Sequence, residues 1–99
     1  MLTIQQTRDG DTVTIALDGR LDSGGASQLE TELQQALRKT KELVFDLEKL
    51  GFISTAGLRV LLLAQRQMNR QGRMRLIHVS EAVLQTLEIQ GVMDILNIS

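Results

Sequence analysis

Leu2 and Ile4 alternate with Thr3 and Gln5, and Val13, Ile15 and Leu17 alternate with Thr12, Thr14 and Ala16. A period of two is that of strands with one buried face, so both segments are expected to be strands. Asp9-Gly10 lies between them and tolerates the positive backbone angles of a two-residue hairpin turn, which predicts an antiparallel pair. Ala26, Leu29, Leu33, Ala36 and Leu37 then recur at three-to-four-residue spacing, predicting a helix with Ser23 or Ser27 near its start and an end near Lys39. Residues 43–47 form a nearly continuous apolar run, the pattern of a central strand buried on both faces.

A second helix is expected over about residues 56–71, with Thr55 as N-cap and Gly72 ending it in a left-handed conformation. Leu58, Leu61, Leu62 and Met68 share one side of it, and Val60 and Leu63 widen that apolar surface, which is expected to pack against a neighbouring helix rather than a partner. Residues 74–79 read as a further strand. Ser80 caps a third helix carrying Val83, Leu84 and Leu87 and stopped by Gly91, and residues 95–98 form a short terminal strand. Helices that follow strands imply parallel pairings with right-handed crossovers. The pattern therefore predicts an α/β chain: a mixed sheet with an antiparallel N-terminal hairpin, otherwise largely parallel, with helices packed on it.

Composition narrows this picture. Ninety-nine residues, 42% of them hydrophobic, can bury one core, so residues 1–99 are expected to be one domain. Proline is absent, and neither a linker-like stretch nor an internal repeat divides the chain. With no cysteine there is no disulfide framework or thiolate metal site, which suits a reducing compartment. The N-terminus lacks a basic start and a long apolar stretch, and the longest apolar run, residues 60–64, falls far short of the roughly 20 residues that cross a bilayer. A cytoplasmic location, with no membrane partner, is expected. A net charge of −1 gives no global field for polyanions, and Phe45 and Phe52 are the only aromatic residues, so nucleic-acid binding is not expected.

Candidate chemistry concentrates at residues 51–58, expected to be a loop joining the central strand to the second helix. Ligands and partners in open α/β sheets tend to bind beyond the carboxyl ends of strands. Ser54 and Thr55 place two hydroxyls where free N–H groups and the positive end of the helix dipole favour negative charge. Helix capping alone also accounts for such residues. Ala56 and Gly57 leave the hydroxyls open, and function is one reason the helix-propensity cost of Gly57, up to about 1 kcal/mol, would be tolerated.

Asp46-Leu followed by Phe52-Ile-Ser-Thr-Ala-Gly-Leu-Arg-Val-Leu-Leu63 resembles the signature of STAS-domain anti-sigma-factor antagonists. Leu17-Asp-Gly-Arg-Leu-Asp22 is similar to that family's turn after the second strand, and the segment from Val79-Ser80 through Leu87 to Gly91 to its late helix. The resemblance implies a non-enzymatic regulatory chain that binds an anti-sigma serine/threonine kinase, is released when phosphorylated, and is restored by a metal-dependent phosphatase. It implies Thr55 as phosphoacceptor, with Ser54 as the alternative, and no cofactor. Where the family pattern places an acid and two hydroxyl residues before the glycine, this chain has Ser54, Thr55 and Ala56. The chain also stops where longer members carry one more helix. Expected partner contacts are Asp22, Asp46, Ser54, Ala56, Gly57, Leu58 and Arg59.

Asp22 and Asp46 end expected strands at one pole and serve either a partner or a turn. Arg59, Arg66 and Arg70 project from one side of the second helix, with Arg73 and Arg75 beyond; a solvated face, a partner-docking strip and a nucleic-acid patch all fit that spacing. His78, the single histidine, reads as a half-buried structural residue within a strand and has no second histidine for a common zinc set. A scaffold or ligand-sensing module that is never phosphorylated is the alternative function. A hydrolase pairing Ser54 or Thr55 with His78 is the other, though no Gly-x-Ser-x-Gly elbow is present.

Overall fold

A computed structural model describes residues 1–99. Its element order is β1 (Leu2–Asp9), β2 (Thr12–Leu21), α1 (Ser23–Ala36), β3 (Glu42–Ile53), α2 (Thr55–Gln71), β4 (Arg73–Ile77) and α3 (Glu81–Ile89). The four strands lie in the order β1-β2-β3-β4, with β1 and β2 antiparallel and both later pairings parallel. The mixed α/β sheet expected from the pattern is the one found. The hairpin closes through Gly10 and Asp11, between the pair Asp9 and Thr12; only Gly10 takes a positive φ, 66°, the arrangement of a turn with glycine first.

One face of the sheet carries the core. Val13, Ile15 and Leu17 of β2, Leu43, Phe45 and Leu47 of β3 and Met74 and Leu76 of β4 join buried side chains from all three helices in a single cluster. Thr12, Thr14, Val44, Asp46 and Arg75 alternate with them on the opposite face, which no helix covers. Residues 43–47 are thus covered by helices on one side only; Val44 is buried by its neighbours on the sheet but stands outside the main cluster.

β3 runs six residues past its expected end and absorbs Gly51, Phe52 and Ile53, which the sequence pattern had placed in a loop. Its pairing with β2 slips twice, between Ala16/Asp18 and between Gly19/Arg20, and at each slip β3 holds one residue more than β2. Each extra residue turns the strand's faces over. Buried positions after Leu47 therefore fall at Leu50 and Ile53, a spacing of three that resembles no regular strand.

Three terminal details also differ from expectation. Gly72 ends α2 with φ 177°, an extended conformation and not the left-handed one expected; glycine is needed there because a Cβ would lie 1.9 Å from the Lys41 carbonyl oxygen. His78 lies beyond β4 with φ 56°, so it is an exposed left-handed residue and not a half-buried strand residue. The terminal strand shrinks to one parallel bridge between Leu76 and Ile98. Ser80 caps α3 as expected, accepting from the Val83 N–H at 3.3 Å.

Candidate functional site

The carboxyl ends of β2 and β3 deliver Asp22 and Ser54 to one pole of the sheet, each at the start of a helix. The Ser54 N–H donates to the Leu21 carbonyl at 2.9 Å, which ties the two junctions together. Ser54, not Thr55, is the N-cap of α2: its backbone is extended and its Oγ accepts from the Gly57 N–H at 3.0 Å. Since an N-cap must precede the first helical residue, Thr55, already helical, cannot fill that role. Its hydroxyl is left out of the capping bond and is exposed.

Beside Thr55 lies a shallow hollow formed by Phe52, Ser54, Thr55 and Leu58 on one side and by Thr86 of α3 and its C-cap Gln90 on the other. Arg20 stacks over the Phe52 ring, 4.2 Å from its centroid, where β2 and β3 pair these two residues. Neither the α3 wall nor the Arg20 stack was legible in sequence, because the slipped register sets one and the packing of α3 the other. Of the residues expected to meet a partner, Gly57 and Leu58 are buried, Ser54 and Ala56 are half-buried, and Thr55 and Arg59 are exposed. Gly57 and Leu58 shape the site from beneath.

Asp22 caps α1, accepting from the Gly25 N–H at 2.9 Å; the expected Ser23 is instead the first helical residue. That hydrogen bond, helped by the N-terminal amine and Arg20, holds the Asp22 carboxyl below its ordinary value of 3.8, against a smaller opposing effect of burial. A depressed carboxylate stabilises the fold fully above its unfolded value, and the contribution fades as pH falls through the folded one. Replacing Asp22 with asparagine is therefore expected to flatten the stability curve below about pH 4 while leaving its shape near neutrality unchanged. Urea midpoints measured from pH 3 to 7 check this; an unchanged acid limb would contradict it.

Asp46 is not brought to this hollow. With β3 extended to Ile53, it lies mid-strand on the open face, its Oδ1 3.0 Å from His78 Nδ1. Ligand atoms of Asp46, Glu48 and His78 lie within 4.8 Å of one another on that face. The Ser54 hydroxyl accepts from the Gly57 N–H and neither it nor the Thr55 hydroxyl is hydrogen-bonded to His78, so no hydroxyl here is coupled to the one candidate general base. Arg59 stands on the exposed face of α2, one turn beyond Thr55.

Comparison with known proteins sets this geometry in a wider frame. The family model described as "Mlab, STAS domain" matches residues 4–97. The protein of Bordetella bronchiseptica (strain ATCC BAA-588 / NCTC 13252 / RB50) named "Putative anti-sigma factor antagonist BtrV" is 40% identical over 81 residues, 80% of this chain and 70% of that protein. An anti-sigma factor antagonist from Mycobacterium paratuberculosis superposes with a TM-score of 0.89 at 16% identity, covering 99% of this chain and 85% of that one. The unphosphorylated form of the anti-sigma factor antagonist SpoIIAA superposes at 0.85 with 22% identity, covering 98% and 88%. The phosphorylated form of Bacillus SpoIIAA superposes at 0.77 with 21% identity, covering 98% and 91%. At these identities the structural likeness carries the fold alone.

Proposed function

The chain belongs to the STAS domain family, and from that membership we propose that it is a cytoplasmic anti-sigma-factor antagonist that works by binding. Its partner is an anti-sigma serine/threonine kinase, and phosphorylation of Thr55 breaks the complex until a metal-dependent phosphatase removes the group. The observation that carries this reading is the division of labour between the two hydroxyls: Ser54 is committed to the helix cap, while Thr55 stands exposed one residue later. The name of BtrV supports the antagonist role.

Phosphorylation adds a charge of about −1.5 to −2 and three acceptor oxygens. At the start of α2 the free chain can bear that charge, since the helix dipole favours it and no acid occupies the first turn. At a packed interface the same charge must be desolvated, and the complex loses affinity while the fold persists. Incubation with the cognate kinase and ATP, followed by peptide mass mapping, is expected to place a single phosphate on Thr55. Phosphate on Ser54 would move the switch to the cap, and binding without any phosphate would leave a STAS scaffold in its place.

A further inference from the structure

Charge is segregated along this nearly neutral chain. Residues 49–80 hold six basic residues and no acid, whereas the remainder holds five basic and twelve acidic ones. Three of the six, Arg59, Arg66 and Arg70, fall within 40° of each other around α2 at 100° per residue, on the side that also carries Thr55 and Leu63. All five of these side chains are exposed, and from Arg59 to Arg70 the ridge extends about 16 Å. Among the arginines only Arg75 forms an ion pair, with Glu42, so none of the three is neutralised within the fold.

Leu63 stands 47% exposed in the middle of this ridge. On one side of it is a groove between α1 and α2, floored by Leu33, Leu37, Val60 and Ala64 and edged by Glu30 of α1. An unpaired cationic row around an apolar notch is the composition of a protein-docking surface, with an apolar anchor and a charged rim.

We infer that the exposed face of α2 from Arg59 to Arg70 docks an acidic face of the partner protein, with an apolar side chain of that partner seated against Leu63. The inference rests on the proposed binding reading and extends its surface along the helix, away from Thr55. Charge complementarity names the occupant's sign, and Leu63 with its groove names its kind. A nucleic-acid backbone would have no use for the apolar notch, and the chain offers few aromatic rings for bases to stack on. Rim charges of this type act mainly by steering encounter, so their removal slows association and flattens its salt dependence.

The double charge reversal Arg66→Glu with Arg70→Glu tests this with two probes: a synthetic glutamate-rich amphipathic helix peptide bearing one leucine, and the cognate kinase. The expected result is an association rate about ten-fold slower for both probes and a shallower salt dependence, at an unchanged urea midpoint. The milder pair Arg66→Gln with Arg70→Gln should move in the same direction by less, which separates lost steering from a disturbed helix. Equal association rates for wild type and variants would overturn the inference while leaving Thr55 as the switch. So would tighter binding of short duplex DNA than of the peptide at equal salt, or self-association that perturbs Glu30 and Glu32 of α1. If the peptide binds this face and the kinase does not bind wild type at all, the antagonist reading fails and the ridge stands.

Discussion

Replacing Gly57 with alanine is expected to destabilise the chain by about 2 kcal/mol, although alanine is the better helix former by up to about 1 kcal/mol. A Cβ at this position would lie 2.6 Å from Leu21 Cγ and 2.8 Å from the Leu21 carbonyl oxygen. Leu21 is fully buried at the end of β2, and the Ser54 N–H donates to its carbonyl, so neither atom can move without dragging the sheet or the helix start. Inserting a methyl group into such a contact costs roughly 1–3 kcal/mol, more than the propensity gain returns. For a chain of this size the thermal midpoint should fall by roughly 10 °C. Gly24→Ala in the first turn of α1 is the matched control: its Cβ would meet only Asp22 Oδ1, at 3.7 Å, and stability should hold or rise. A Gly57→Ala chain as stable as wild type would show that α2 can withdraw from β2 freely, and would remove the packing reason for the glycine.

That reason was invisible in the sequence. The low helix propensity of Gly57 is legible there, and it invites a functional explanation because the neighbours are hydroxyls. The contact responsible, with Leu21, joins residues 36 apart in sequence and exists only once β2 and α2 have met. Regular periodicity revealed β1, most of β2, all three helices and β4, because one buried face imposes a fixed repeat on each. It missed the second half of β3 because two extra residues break the repeat, and it therefore placed Asp46 near the strand's end at the pole of Asp22 when it lies mid-strand beside His78. Around the candidate site, the two hydroxyls were legible as a helix start but not their order, since a one-residue shift of the cap exchanges the capping role with the exposed one. The wall contributed by Thr86 and Gln90 carried no local signal at all.

Exchanging Thr55 for glutamate and Ser54 for alanine should separate signalling from folding. Thr55→Glu places a permanent carboxylate at the first residue of α2, where no acid now stands, so stability should rise or stay within about 1 kcal/mol of wild type. Affinity for the kinase should nevertheless fall by at least about 30-fold, since an unpaired charge forced into a desolvated contact costs roughly 2–5 kcal/mol and each 1.4 kcal/mol is a factor of ten. Ser54→Ala should behave in the opposite way. It removes the acceptor for the Gly57 N–H and should lower stability by about 1 kcal/mol, while kinase affinity at temperatures well below unfolding stays within a few-fold of wild type. Thr55→Val, which keeps the shape and loses the hydroxyl, should bind the kinase, resist phosphorylation and remain bound in the presence of ATP. Calorimetric titration against the kinase and urea unfolding of the same four chains measure both axes. If Thr55→Glu binds as wild type does, or if Ser54→Ala loses affinity while Thr55→Glu keeps it, the exposed hydroxyl is not the switch and the cap residue takes its place.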